Sequence, residues 1–530
     1  MKQEDGLMKE EQLVDLPAKR ISYKKGPNGT KYVYYTLRSY RNAQGKPTSD
    51  EKSIGKLDEA TGKLIPNKNY FDLFPSERQD IPETVQSVGY VEVVTHIAEA
   101  IGLTQILRQC FGSDSEKLLS LATYMMAHGN VMMDYADWAE STAQGKVTSL
   151  SSQQISEFFA NMDETKRLAF FRQWLKKAQD NEYIAYDVTS ISSYSEEISW
   201  VERGYNRDKE NLSQINLGMF FGETSKLPLY YSVYSGSIVD KTFLPFMMTL
   251  ADTIGMRQVR FVMDQGFLTQ DNLRVLSDKD HTALSLIPKN LRVYKELLAE
   301  VIGQPFSSRE RLNTQGVYAR TLETDFNAIS VTVYMYFDPQ KAMLDENALF
   351  DDIHRHERQL SEMAQQKKLK PSWRKYFEVE EVGDKELRYQ MDYDKIDALK
   401  AQLGYFALIS TDKRLSADQA LTIYRQKDGI EKSFDQLKNG MDYRRMRTHY
   451  TKTTDGKLFV AFLGVILRSV FMQAIKGHEG TQRLTLKKVV RELEKIQHIR
   501  LKDGSRHTLP LTSLQKTILK ALHVDETLIQ

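Results

Sequence analysis

Between residues 183 and 287, five short apolar runs alternate with polar turns and two segments of helical spacing, and this constrains the fold more tightly than anything else in the chain. Tyr183–Val188 (YIAYDV), Ile215–Phe221, Leu229–Tyr234, Val259–Met263 and Ala283–Ile287 have strand length and are rich in β-branched and aromatic residues. Helical spacing runs over Thr242–Ile254 and Asp271–Ser277. The order is strand, strand, strand, helix, strand, helix, strand, which makes this part of the chain α/β. Two acidic residues stand at strand positions: Asp187 on the first and Asp264 just past the end of the fourth.

A further strand, Tyr405–Ile409, leads into Ser416–Gly440, which reads as one helix of about six turns. Ser416 and Gln419 have the form of a capping box, and Asn439-Gly440 marks the exit. Ile423, Ile430, Phe434, Leu437 and Met441 form an apolar stripe for core packing. Beside it Tyr424, Lys427, Glu431 and Lys438 fall within about 60° of one another, so a hydroxyl, two ammonium groups and a carboxylate share one edge. Alone, such an edge also describes a solvated amphipathic helix.

If the strands carrying Asp187 and Asp264 are neighbours, their carboxylates emerge at nearly the same level, and the helix packed by its stripe brings Glu431 alongside. Either aspartate taken singly has an ordinary reading as a turn residue. Three together repel one another and call for cations. Oxygen donors without His or Cys favour Mg²⁺ or Mn²⁺ over zinc. Two such ions, roughly 3.5–4 Å apart, suit in-line phosphoryl transfer at a phosphodiester.

The remaining chain supplies basic surfaces. Residues 1–18 are polar and expected to be disordered. Residues 19–80 interleave Lys24, Lys25, Lys31 and Arg38 with Tyr23, Tyr32, Tyr34, Tyr35 and Tyr40, a basic β-ribbon suited to a DNA backbone, although a solvated hairpin has the same pattern. Residues 81–180 have helical spacing; SLSSQQISEFFANM fits either a helix-turn-helix or an ordinary bundle, and a polar break falls at 179–181. Residues 289–400 read as an inserted β-rich subdomain, with strand-like runs over Tyr318–Tyr336 and Trp373–Met391 around a charged helix, Ala342–Lys368. The α/β part, 181–288, resumes over 401–475, and a basic helical region, 476–530, follows.

The formal charge of +2 places any nucleic-acid affinity in local segments, among them Arg444, Arg445, Arg447, Lys487, Lys488 and Arg491. The single cysteine, Cys110, rules out an internal disulfide and suits a reducing cytoplasm. The apolar run Leu458–Leu467 is short of the ~20 residues of a membrane helix and reads as buried, so no membrane is expected.

Asp187 in YDVTSISS, Asp264 in VMDQGF and the Tyr424, Lys427, Glu431, Lys438 helix resemble the DDE transposases of bacterial insertion sequences, in the branch marked by Tyr, Arg, Glu and Lys at that helical spacing. QINLGMFF, YSVYSGSIVDKTF and GYFALISTD are similar to that family too, and the resemblance spans about 180–475. Lys427 departs from the pattern, which has Arg there, and keeps the charge without a bidentate fork. The resemblance implies an RNase H-like core with an inserted β-rich subdomain before the glutamate. It implies Asp187, Asp264 and Glu431 as metal ligands, and Tyr424, Lys427 and Lys438 on phosphate or DNA. The implied partners are double-stranded DNA, as transposon ends and target, with a homodimer in the DNA complex, and the resemblance makes 81–180 a helical region for DNA-end binding or dimerisation. An aromatic of the insertion, Trp373, either stacks on a flipped base or, the commoner role, packs in a core, and Asp240 either supports the site or caps a helix. Rival readings are a structure-specific nuclease with the same core and a catalytically inactive DNA-binding derivative.

Overall fold

The computed structural model of the protein describes residues 13–74, 82–142, 147–178, 182–312, 316–363, 371–382, 386–502 and 505–529. The chain forms two compact units, residues 1–86 with 497–510, and residues 87–496 with 511–530. The expected break at 179–181, the end of the Ala342–Lys368 helix and most of the expected disordered tail lie outside the described residues.

In the first unit, Ile21–Lys25, Lys31–Arg41, Pro47–Leu57 and Leu64–Pro66 make a four-stranded antiparallel sheet, closed by the helix Lys68–Leu73 over a small core of Val33, Ile54, Leu64 and Tyr70. Its cations turn to its own acids and rings: Lys24 Nζ lies 2.9 Å from Glu51 and 4.3 Å over the Tyr34 ring, and Arg38 lies 2.8 Å from Asp50. Val14, inside the expected tail, exchanges backbone hydrogen bonds with Leu64, so that end of the tail is ordered. A second, three-stranded sheet joins Pro82–Ser87 to Gln497–Leu501 and Arg506–Thr508. The stretch 476–530 therefore mixes strands with the helices Leu486–Glu494 and Ser513–Ala521, where helix alone was expected.

The second unit is built on an eight-stranded sheet. Its strands, numbered in chain order, are β1 (Tyr183–Ser192), β2 (Gln214–Gly222), β3 (Pro228–Ser235), β4 (Arg260–Met263), β5 (Thr282–Leu286), β6 (Tyr318–Phe326), β7 (Ile329–Phe337) and β8 (Tyr405–Ser410). Across the sheet the order is β6-β7-β8-β5-β4-β1-β2-β3. β4 is parallel to both β1 and β5, and the other pairs are antiparallel. Every residue of β2 is buried, so both faces of the sheet are covered there, which explains apolar runs without alternation.

The expected insertion is smaller than its sequence boundaries. β6 and β7 extend the main sheet and belong to its core: Val331, Val333 and Met335 are fully buried, and β7 pairs along its length with β8. The run ISVTVYMYF is buried on both faces, which a free-standing hairpin cannot provide. What remains as insertion is the helix Pro339–Met363, the hairpin Phe377–Val382 with Glu386–Met391, and the helix Tyr393–Lys400. Ile353, Leu360, Trp373, Tyr376, Phe377 and Ile396 form its separate core. Trp373 is fully buried there, so the ring proposed for base stacking is a packing residue.

Of the helices between Gly89 and Trp174, Gly89–Ala100, Asp114–His128 and Ser152–Ala160 pack on a long helix, Thr451–Gly477. Leu458–Leu467 is buried on every side of it, and Phe459 stands within 6 Å of the Phe111, Phe170 and Phe171 rings. Gly456 admits the Phe159 backbone carbonyl where a side chain would collide. The helix is long and apolar enough to cross a membrane by length and composition, which the ten-residue run alone did not reveal, and 72% of its apolar window is buried inside the protein. SLSSQQISEFFANM supplies the helix Ser152–Ala160, opened by a Ser151/Gln154 capping box and packed on Thr451–Gly477.

Arg468, buried on that long helix, donates to the Met126 and Gly440 carbonyls and to Gln436 Oε1, and burial draws its guanidinium down to about 10. It ties the helical layer to the end of the Glu431 helix. Arg468→Leu strands these acceptors and should cost about 3–5 kcal/mol, read as a lower midpoint in urea. A loss under 1 kcal/mol would show that the acceptors find other partners.

Candidate functional site

β1 and β4 are parallel neighbours with Tyr186 opposite Met263, so the next residues, Asp187 and Asp264, leave adjacent strands at the same level. The helix carrying Glu431 crosses onto β1 and β2, where Gly429 lets it settle against Phe221: a Cβ at that position would lie 2.6 Å from the ring. Ile430, Phe434, Leu437 and Met441 are buried and Ile423 half-buried, and the Ser416/Gln419 capping box opens the helix.

The helix is not the single rod the spacing suggests. It runs Ala417–Gln426, breaks at Lys427, resumes over Asp428–Asp435 and ends in a π-helical turn, Gln436–Gly440. At the break Lys427 N bonds back to the Tyr424 carbonyl, and Ile430 N to that of Lys427. This tightening turns Lys427 inward, so that its ammonium is buried, 3.9 Å from Asp264 Oδ1 and 3.6 Å from Glu431 Oε1. The wider π turn changes the angular register after Asp435. Lys438, expected on the same edge as Glu431, is instead buried against Asp208, with Nζ 2.7 Å from Oδ2.

The electrostatics follow from this packing. Burial pushes the Asp187 carboxyl up to about 6, against the pull of Lys427 and Arg207, while Asp264 raises it further. The Tyr424 hydroxyl is held well above its usual range, first by burial and then by the charges of Asp264 and Glu431. Asp187, Asp264, Glu431, Tyr424 and Lys427 thus feel one another directly, and Lys438 stands apart from them.

Among the described residues, no three His, Cys, Asp or Glu side chains stand close enough together to hold an ion. At this site the Lys427 ammonium holds the space between two of the acids. The donor set nevertheless fits a hard divalent cation. It offers oxygen alone, Asp264 and Glu431 keep 47% and 59% of their side chains open to solvent, and Asp187 is a desolvated carboxylate that added positive charge relieves.

Residues missed from the sequence lie on the loop between β1 and β2. Arg207 bonds Asp240 and Ser190 Oγ, and Tyr234 donates to Asp240 at 2.6 Å. Asp240 is therefore a partner of Arg207, and Val239 occupies the cap position without a side-chain bond. The signal in the sequence was Asn206, whose side chain accepts from the Asp208 and Glu210 backbone and turns VERGYNRDKE back toward the sheet. His354 and His356 sit on the insertion helix beside Glu357 and Asp352.

Two outcomes test this geometry. An acid whose folded value lies above its unfolded one, about 3.9, costs stability as pH rises through that window to about 6 and costs it fully above. Asp187→Asn should therefore stabilise the metal-free protein by about 1–3 kcal/mol near neutral pH, with the gain vanishing near pH 4; an offset independent of pH would contradict the assignment. Lys438→Ala should destabilise by about 1–3 kcal/mol, and adding Asp208→Asn should cost little more in a double-mutant cycle. Full additivity would mean the pair is not coupled.

The chain matches the family model described as the transposase DDE domain over residues 179–467, more than half of its length. No curated protein matches it. Among solved structures, a cryo-EM structure of the piggyBac transposase synaptic complex with hairpin DNA is similar over 83% of this chain and 80% of that one, at 12% identity and a TM-score of 0.37. The Mos1 transposase paired-end complex with left transposon end is similar over 40% of this chain and 67% of that one, at 11% identity and a TM-score of 0.15. Neither likeness is close enough to carry an argument, whereas the family match is: the chain belongs to the transposase DDE domain family.

Proposed function

We propose that the protein is the transposase of a bacterial insertion sequence, of the branch with the Tyr-Arg-Glu-Lys helix signature, acting in the cytoplasm. In this reading it binds the terminal inverted repeats of its element as a homodimer and performs metal-dependent cleavage and strand transfer by cut and paste. The observation that carries the reading is that Asp187 and Asp264 leave adjacent parallel strands at one level while the Lys427 ammonium lies within 4 Å of Asp264 and Glu431, inside the segment that matches the family. An RNase H-like core is supported by the three antiparallel strands β1–β3 with β4 and β5 running parallel to β1.

Asp187, Asp264 and Glu431 are the residues that would hold Mg²⁺ or Mn²⁺, two ions in the proposed form. Bound there, the metal supplies positive charge that favours ionisation of the attacking oxygen and steadies the leaving one. The remaining roles fall to side chains of the chain itself. Lys427, once released from the two carboxylates, offers a point charge to a non-bridging phosphate oxygen, without the fixed fork of an arginine. The Tyr424 hydroxyl keeps its proton, because burial and the neighbouring acids disfavour the phenolate, and so remains a hydrogen-bond donor to the same phosphate. Lys438, engaged by Asp208, acts by fixing the end of the glutamate helix to the β1–β2 loop.

The test is incubation of the protein with DNA carrying the ends of its flanking element and Mg²⁺, resolving nicked, hairpinned and joined products. Asp187→Asn, Asp264→Asn and Glu431→Gln should each lower cleavage about a thousandfold or more, with the triple variant little worse than the singles and end binding kept. Near-normal cleavage by one variant would remove that residue from the site. Loss of end binding together with cleavage would assign it to folding.

A further inference from the structure

The helices Gly89–Ala100, Leu103–Phe111 and Asp114–His128 enclose a cleft of about 410 Å³. Small-molecule sites span roughly 300–1,000 Å³, so the volume is that of a site for a small ligand. The cleft is lined neither by the acidic residues nor by the helix that carries Glu431. Leu107 and Leu119 give it apolar surface.

One hydroxyl in its lining is left over by the fold. A threonine inside a helix ordinarily returns its hydroxyl to the carbonyl one turn earlier. Thr104 stands second in its helix, just past Gly102, whose φ of 76° turns the chain out of the preceding helix, so no continuous helical turn runs before it. The residue is 7% exposed, and its Oγ1 is buried without a hydrogen-bond partner. A buried hydroxyl in that state is costly, and one that lines an open cleft points to a ligand atom that completes it.

The charges of the lining are left over as well. Glu99, Arg108 and Glu116 are exposed, and among the described residues no ion pair engages any of them. Neighbouring charges behave otherwise, as Lys117 does in pairing with Asp114 at 2.9 Å. Opposite charges held apart around one cleft suit a ligand that carries both, since a guanidinium takes a carboxylate and carboxylates take an ammonium. An amine alone leaves Arg108 unanswered, and an anion alone leaves the glutamates unanswered. The two leucines add room for an aliphatic chain.

We propose that this cleft binds a free α-amino acid with an aliphatic side chain, its carboxylate on Arg108 and the Thr104 hydroxyl, its ammonium on Glu99 and Glu116. The proposal assigns a small-molecule site to the helical layer and does not depend on the reading of the chain as a transposase.

The test titrates the full-length protein, without DNA or metal, with L-leucine in a calorimeter. A dissociation constant of roughly 0.1 mM is expected, within what a ligand of this size can provide. L-Leucinamide, which lacks the carboxylate, and N-acetyl-L-leucine, which lacks the ammonium, should each bind about tenfold more weakly. Arg108→Gln should lower leucine affinity about tenfold and leave leucinamide unchanged; the double variant Glu99→Gln/Glu116→Gln should lower it by a similar factor and leave N-acetyl-leucine unchanged. Thr104→Val keeps the side-chain shape and should weaken leucine binding about fivefold, while the melting temperature of the free protein stays level or rises. No binding of leucine up to about 10 mM overturns the site. Equal binding of either derivative, or losses in the variants that ignore which charge the ligand carries, overturn the recognition of a zwitterion. A Thr104→Val protein that melts lower yet binds leucine normally overturns the role of that hydroxyl.

Discussion

The Lys427 ammonium, buried within 4 Å of Asp264 and Glu431, is the interaction on which the arrangement of the site depends. Asp187 and Asp264 are forced together by strand pairing, and the helix packed on Phe221 adds Glu431, so the backbone assembles like charges that repel one another. One internal cation makes that assembly tolerable, and Asp187 still carries the cost of its burial as a raised proton affinity. In the proposed function a divalent metal would bind where that cation stands. Metal binding would then be coupled to the freeing of Lys427 for a phosphate.

Around that centre, charges are neutralised locally instead of being left to solvent. Asp208 answers Lys438, Asp240 answers Arg207, and Arg468 spends its donors on backbone carbonyls and Gln436. Each of these contacts joins segments far apart in sequence. Buried pairs of this kind add little net stability against an apolar alternative, yet removing one partner is expensive. Their effect is positional: they fix the β1–β2 loop and the end of the glutamate helix relative to the strands that carry the aspartates.

The strands were legible because the sheet interior leaves a local mark. YIAYDV, Ile215–Phe221 and Val259–Met263 are apolar runs of strand length, and their order matches β1, β2 and β4. The departures all arise from tertiary packing. The break at Lys427 lies beside the close approach of Gly429 to Phe221, and the π turn ends where Gly440 meets Arg468; neither contact is visible in a helical wheel. The attachment of β6 and β7 to the main sheet depends on pairing between β7 and β8, which lie far apart in the chain. Trp373 shows the limit from the other side, since sequence marks a ring as notable and only packing tells which ring is covered. Arg207 and Asp208 escaped notice because a charged loop looks the same whether it is solvated or folded onto its neighbours.

The central claim is that Asp187, Asp264 and Glu431 form one metal site from which Lys427 must withdraw. Crystals of the protein equilibrated with Mn²⁺ test it directly through anomalous scattering. The account predicts an anomalous peak among these three carboxylates, with the Lys427 ammonium moved away from Asp264 and Glu431. A peak held by other residues, or metal among these carboxylates with Lys427 unmoved, would contradict it.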